Sequence, residues 1–193
     1  MKRASFAVVS FFVVFTLALS SKAHGDTSGH INFLYSQKNM EKWEDDLKNL
    51  PAYGIEGDVS LGSLPVNLWL GVSSGKESGK SVTRGLTIVV DTTQTEMYVG
   101  ARTYLQFVPL LTPYVGVGVS TVKADVSGAS SGLSSSKSAS TTGYLLNAGA
   151  ILKLGNFHIG ADYRVLSGTS LDLASAYSNA NYNQMGIVLG FNW

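Results

Sequence analysis

From Gly29 onward, apolar and polar residues change places at almost every step over eight stretches of the chain, the period of two that a β-strand with unlike faces imposes. The stretches run Gly29–Gln37, Tyr53–Leu61, Val66–Ser73, Thr95–Phe107, Tyr114–Lys123, Gly143–Leu154, Phe157–Val165 and Gln184–Trp193. In the first, Ile31, Phe33 and Tyr35 oppose His30, Asn32 and Ser36. In the last, Met185, Ile187, Leu189, Phe191 and Trp193 oppose Gln184, Gly186, Gly190 and Asn192, and Val188 is the one break. Connections alternate between long and short, and Gly155-Asn156 is a two-residue hairpin signal. This pattern predicts an all-β chain folded as an eight-stranded antiparallel up-and-down β-barrel.

Residue types orient the two faces. The polar faces mix charge with glycine: Glu56, Asp58, Glu96, Arg102, Lys153, Asp162 and Arg164 stand among Gly71, Gly100, Gly116, Gly118, Gly149 and Gly160. A water-facing sheet rarely uses so much glycine, whereas a tight interior needs it beside bulky neighbours such as Trp69, Tyr98 and Tyr104. The apolar faces then point outward to lipid, and strands of about nine to eleven residues match a tilted bilayer crossing. Charges placed inside must be paired, because an isolated buried charge costs several kcal/mol or more. The expectation is an internal salt-bridge network that plugs the barrel, since eight strands enclose little more than their own side chains. The alternative is a narrow polar conduit for small solutes.

The N-terminal region reads differently. Lys2 and Arg3 precede an apolar run from Phe6 to Leu19 and a small-residue stretch through Gly25, the layout of a cleavable secretory signal peptide over residues 1–25. The run falls short of the ~20 residues that a spanning helix needs. The expected mature domain is 26–193, one barrel with a slightly negative charge and no sign of a nucleic-acid surface. The chain has no cysteine, which excludes a disulfide framework, a lipid-anchored N-terminus and a thiolate metal site. His24, His30 and His158 are too scattered to suggest a metal centre, so no metal or cofactor is expected.

The alternating C-terminal strand with Leu189, Phe191 and a final Trp193 resembles the signal by which the assembly machinery recognises bacterial outer-membrane barrels. Over its mature length the chain resembles the small OmpA/OmpX-like eight-stranded barrels. The resemblance implies a monomer in the bacterial outer membrane, in contact with lipid and lipopolysaccharide. It implies termini and short turns in the periplasm and four long loops outside. Phe107, Phe157, Phe191 and Trp193 would form an inner aromatic belt, and Tyr35, Tyr53, Tyr144 and Tyr163 an outer one. Some barrels of this size are lipid A acyltransferases or deacylases that use histidine and serine near the outer leaflet. Here His30 and His158 begin strands at the periplasmic side, so no enzyme is expected.

Three connections carry further expectations. Met40, Trp43, Leu47 and Leu50 recur at helical spacing, which predicts a short helix over 39–50 packed over the barrel mouth or lying in the outer interface. Ser127 to Thr142 is rich in serine, glycine and alanine, the composition of a flexible surface loop. Leu86 to Val90 is strand-like but out of phase with Met97, so either Asp91 to Thr93 forms a bulge or the segment extends a hairpin above the membrane. A structural or surface-interaction role through the loops leads, with a channel second.

Overall fold

The computed structural model describes residues 28–41, 43, 48–60, 62, 64–83, 86–105, 110–130, 133–171 and 179–193. Eight strands follow one another in chain order: β1 Gly29–Met40, β2 Asn49–Ser60, β3 Asn67–Thr83, β4 Leu86–Tyr104, β5 Leu111–Ser130, β6 Leu133–Leu154, β7 Phe157–Ser167 and β8 Tyr182–Asn192. Each pairs antiparallel with the next, and β8 returns to β1 to close the barrel. The seam runs from His30↔Asn192 to Met40↔Tyr182, and Gly29 and Trp193 exchange two backbone hydrogen bonds at its end. Closure leaves no unpaired edge within the wall, which a sheet in hydrocarbon requires.

Residue chemistry explains the alternation. Phe33, Tyr35, Val99, Val117, Leu146, Ile159, Ile187 and Leu189 are exposed on the outside, whereas Asn32, Glu56, Trp69, Tyr98, Arg102, Asn147, Asp162 and Arg164 are buried inside. The surface is therefore inverted relative to a protein dissolved in water. Val188 is buried, so the break in the last strand is one apolar side chain in the lumen. Gly155 opens the β6–β7 turn at φ 68°, a left-handed conformation that glycine adopts without a Cβ penalty. Tyr35, Tyr53, Tyr144 and Tyr163 are exposed toward the loop end of the wall, and Phe157 and Phe191 stack edge to face near the termini. Phe107 lies outside the described residues, as does the expected signal segment 1–25.

Strands β3 to β6 correct the expected lengths. The β2–β3 ladder stops at Ala52↔Gly75 and the β6–β7 ladder at Tyr144↔Ser167. The β3–β4 ladder continues to Thr83↔Leu86, and β5–β6 to Ser130↔Leu133. A four-stranded sheet therefore stands beyond the wall by eight residues of β3, about 26 Å of strand. Leu86 to Val90 is the second arm of that hairpin, paired in continuous register with no bulge. Of Ser127 to Thr142, expected as a flexible loop, Ser127 to Ser130 and Leu133 to Thr142 belong to the same sheet. Its composition misleads because the ladder consists of backbone groups, and serine and threonine satisfy a solvated two-sided strand.

The expected helix over 39–50 is corrected at both of its ends. Asn39 and Met40 end β1, Asn49 and Leu50 begin β2, and the Met40 amide donates to the Lys48 carbonyl at 2.8 Å. Residues 42 and 44–47 lie outside the described residues. Met40, Trp43 and Leu50 are all buried, Met40 and Trp43 in the apolar cluster at the loop end and Leu50 beside Gly75 on β3.

Candidate functional site in the barrel lumen

The inward faces of the strands bring together three cations and four carboxylates. Glu56 on β2 is their centre: its Oε1 accepts from Arg102 Nη1 at 2.8 Å and Asn32 Nδ2 at 2.9 Å. Its Oε2 accepts from Arg164 Nη2 at 2.6 Å, Trp69 Nε1 at 2.9 Å and the Tyr98 hydroxyl at 3.0 Å. Five donors from four other strands converge on one carboxylate, and its side chain has no solvent exposure. A group so enclosed persists only when its lone pairs are filled and its charge is matched.

The other carboxylates extend this arrangement toward both ends. Asp162 accepts from Arg164 Nε at 2.6 Å, the Tyr114 hydroxyl at 2.7 Å and Asn147 Nδ2 at 2.7 Å. Asn147 in turn accepts from Arg102 through Oδ1, which links the two arginines to both carboxylates. Asp58, nearer the termini, accepts from Asn67 Nδ2 and the Tyr104 hydroxyl, each at 2.6 Å. It also meets His30 Nδ1 at 2.9 Å, with Arg102 Nη1 3.6 Å away. Glu96, nearer the loop end, accepts from Lys38 Nζ, from Ser120 Oγ at 2.6 Å and from the Tyr182 hydroxyl at 2.7 Å.

Aromatic faces occupy the remaining space around the cations. The Arg102 guanidinium stacks over Trp69 at 4.3 Å and Tyr114 at 4.6 Å, Arg164 over Tyr98 at 4.9 Å, and Lys38 over Tyr182 at 4.6 Å. Such contacts stabilise a desolvated cation by about 1–2 kcal/mol each. Gly71 makes the layer possible, since a Cβ there would overlap the Tyr98 ring. At the loop end the polar layer gives way to an apolar cap of Met40, Trp43, Val90, Leu171 and Ala180. Trp43 ties this cap together by donating from Nε1 to the Asn179 carbonyl at 2.9 Å, which joins the β1–β2 connection to the β7–β8 connection.

The family assignment rests on sequence as well as on fold: the family model described as the outer membrane protein beta-barrel domain matches residues 4–193. The chain belongs to this outer-membrane β-barrel family. Solved structures share its fold at low identity. The crystal structure of Ail, the attachment invasion locus protein of Yersinia pestis, is 20% identical with a TM-score of 0.52, over 86% of this chain and 97% of that one. Neisserial surface protein A (NspA) is 12% identical with a TM-score of 0.61, over 86% and 97%. A major outer membrane protein from Thermus thermophilus is 11% identical with a TM-score of 0.62, over 88% and 100%. Comparison with curated protein sequences gives no significant match.

In this outer-membrane barrel, six of the seven charged residues singled out from sequence come together: Glu56, Asp58, Arg102, Asp162 and Arg164 form one connected set, and Glu96 sits above them with Lys38. Lys153 stands apart, half-buried at the terminus end opposite His158, in no ion pair among the described residues. Sequence reading missed Lys38 because β1 was expected to stop at Gln37. Carrying the parity of His30, Asn32 and Ser36 one step further would have placed Lys38 inside. His158 Nε2 lies 2.7 Å from Asn32 Oδ1, so this histidine, like His30, is engaged within the lumen near the termini. Leu189 and Phe191 face outward on β8, and Trp193 is half-buried against Gly29.

Proposed function

We propose that the chain is a sealed outer-membrane scaffold, a non-enzymatic barrel whose function resides in the protruding sheet and connections that it holds at the cell surface. The observation that carries this reading is the filled lumen. Side chains from β1 to β7 meet across the axis in the network around Glu56, β8 adds Tyr182 on Glu96, and the cap around Trp43 covers them. A continuous water path needs unfilled cross-section, and this interior is occupied by guanidinium groups stacked on aromatic rings. Both termini and the short turns lie in the periplasm in this reading, and the β3–β6 sheet lies outside. Residues 1–25 serve as the export signal, and Leu189, Phe191 and Trp193 present the assembly signal. The histidines argue against lipid hydrolysis or acyl transfer, since His30 and His158 are held by Asp58 and Asn32 at the opposite end from the loops.

The absence of cysteine makes the test direct. Single variants Ser78→Cys and Ser136→Cys place a thiol on the protruding sheet, and Asn156→Cys places one in the β6–β7 turn. An impermeant maleimide applied to intact cells should label the first two and leave the third unmodified until the envelope is opened. Labelling of Asn156→Cys alone would reverse the topology and remove the display role. Deleting 76–93 should then abolish surface contacts without loss of the heat-modifiable folded barrel.

A further inference from the structure

Four polar atoms in the loop-end half of the lumen find no hydrogen-bond partner in the protein: Thr92 Oγ1, Gln94 Nε2, and both Oε1 and Nε2 of Gln184. All three residues are at most 1% exposed. Their neighbours fix where they face. Gln94 Oε1 accepts from Lys38 Nζ at 3.1 Å, so the Gln94 amide nitrogen points away from the ammonium group. Gln184 is the register partner of Lys38 across the β1–β8 seam, and Thr92 is the next inward residue on β4 beyond Gln94. The orphaned groups therefore adjoin Lys38, Gln94 and Gln184 directly and Thr92 through Gln94.

The side chains packed around them cannot satisfy them. Beyond Lys38 on β1 comes Met40, beyond Thr92 on β4 comes Val90, and the β5 partners of Gln94 and Thr92 are Ala124 and Val126. Leu50 covers Gly75, the β3 partner of Gln94. Lys38 and the Tyr182 hydroxyl are committed to Glu96. A buried amide without a partner destabilises the fold that holds it, and native interiors relieve such groups with held water. The complementary partner here has to donate to Gln184 Oε1 and accept from two amide nitrogens. An anion would meet a lumen of four carboxylates and three cations, and a cation would face the amide hydrogens and the Lys38 ammonium group. We propose that this level of the lumen is a binding site for trapped water, a small cluster that bridges Gln94, Gln184 and Thr92 between the Lys38–Glu96 pair and the apolar cap. Glu77, the half-buried register partner of Thr92 with the same inward parity, is the further carboxylate at this level among the described residues, and by turning inward it would compete for the same donors. Retention of the water rests on the sealed lumen proposed above.

The test is magnetic relaxation dispersion of oxygen-17 water on the full mature barrel refolded in detergent micelles, which counts water molecules held longer than the particle takes to tumble. The expected result is a long-lived fraction that falls by about one molecule in Gln184→Leu and in Thr92→Val and is unchanged in Glu77→Gln. Trp43→Ala, which opens the cap, should shorten the residence of the same water. Urea midpoints supply a second readout in which the sign decides. Where water bridges the groups, Thr92→Val and Gln184→Leu remove satisfied bonds and lower the midpoint; where the groups are dry, both substitutions remove orphans and raise it. A raised midpoint, a long-lived fraction that neither substitution changes, or a midpoint lowered as much by Glu77→Gln as by Gln184→Leu would each overturn the assignment. An anomalous peak of bromide or rubidium beside Gln184 in soaked crystals would overturn it too, by showing an ion in place of water. Planar bilayers separate the two readings: silent protein with no long-lived water overturns this proposal alone, and open channels with only fast-exchanging water overturn the seal and this proposal together.

Discussion

Glu56→Gln is the substitution with the most informative magnitude. It keeps the shape of the side chain, removes one negative charge and turns one oxygen into an NH2 group. With its oxygen at the Oε1 position, the new amide nitrogen faces three donors, Arg164, Trp69 and Tyr98. Flipped, it faces two, Arg102 and Asn32. Either orientation leaves at least two buried donors without an acceptor, and each orphaned group costs about 1–3 kcal/mol. The pairing of the two arginines weakens as well, although the lumen as a whole then counts three carboxylates against three cations. Three lumen cations, Lys38, Arg102 and Arg164, face four carboxylates in the native protein, and the substitution takes the central carboxylate from between the two arginines. The expected loss is about 3–5 kcal/mol, the range for breaking a buried ion pair from one side. In urea unfolding from lipid vesicles, a slope of about 2 kcal/mol/M would move the midpoint down by roughly 2 M. A loss under about 1 kcal/mol would refute the reasoning, because it would mean that water already solvates Glu56 and that the lumen is wet.

The remaining predictions address other parts of the architecture. Lys38→Met should cost about 3–5 kcal/mol by leaving Glu96 without its cation, and Lys38→Met/Glu96→Gln should recover most of it; the readout is a double-mutant cycle of unfolding midpoints. Gly71→Ala should destabilise by about 1–3 kcal/mol through the Tyr98 ring, whereas Gly57→Ala, where an added Cβ would meet only the His30 carbonyl at 3.5 Å, should stay within about 0.5 kcal/mol in the same assay. Trp43→Ala should open the apolar cap at a cost of about 3–5 kcal/mol and make the loop end cleavable by protease while the wall remains protected, as gel analysis after digestion would record. Deletion of Trp193 should slow assembly in cells more than it lowers the stability of refolded protein, measured as the ratio of folded to unfolded band over a pulse-chase.

The wall of the barrel was legible because lipid on one side and a crowded lumen on the other force strict alternation. Phe33 and Asn32, or Val99 and Tyr98, announce their faces by chemistry alone. The protruding sheet was not, because toward its tip successive residues such as Ser136, Lys137 and Ser138 are all exposed and the contrast is lost, although nearer the wall Val90 and Ala124 are still buried under the cap. Ser127 to Thr142 carries no alternation for that reason, yet the backbones of Ser127 to Ser130 and Leu133 to Thr142 are paired as regularly as the wall. Inside, the charged residues could be placed on the inward face but not matched to one another. Partner choice depends on register across the barrel, and the 58-residue separation of Lys38 from Glu96 leaves no local trace. Five donors on Glu56 likewise come from strands whose relative stagger only closure fixes. Lys153 has the parity of a lumen residue but sits where the strand leaves the barrel, so its inward position brings it no ion pair among the described residues.

The central claim is that the lumen is sealed, and ion conductance tests it most directly. Properly folded, heat-modifiable protein inserted into a planar bilayer should give no discrete openings, and Arg102→Ala should create leak currents by removing the guanidinium stacked between Trp69 and Tyr114. Steady single-channel openings of the unmodified protein, altered in size by Arg102→Ala, would contradict the account and make the charged face of the lumen a conduction path.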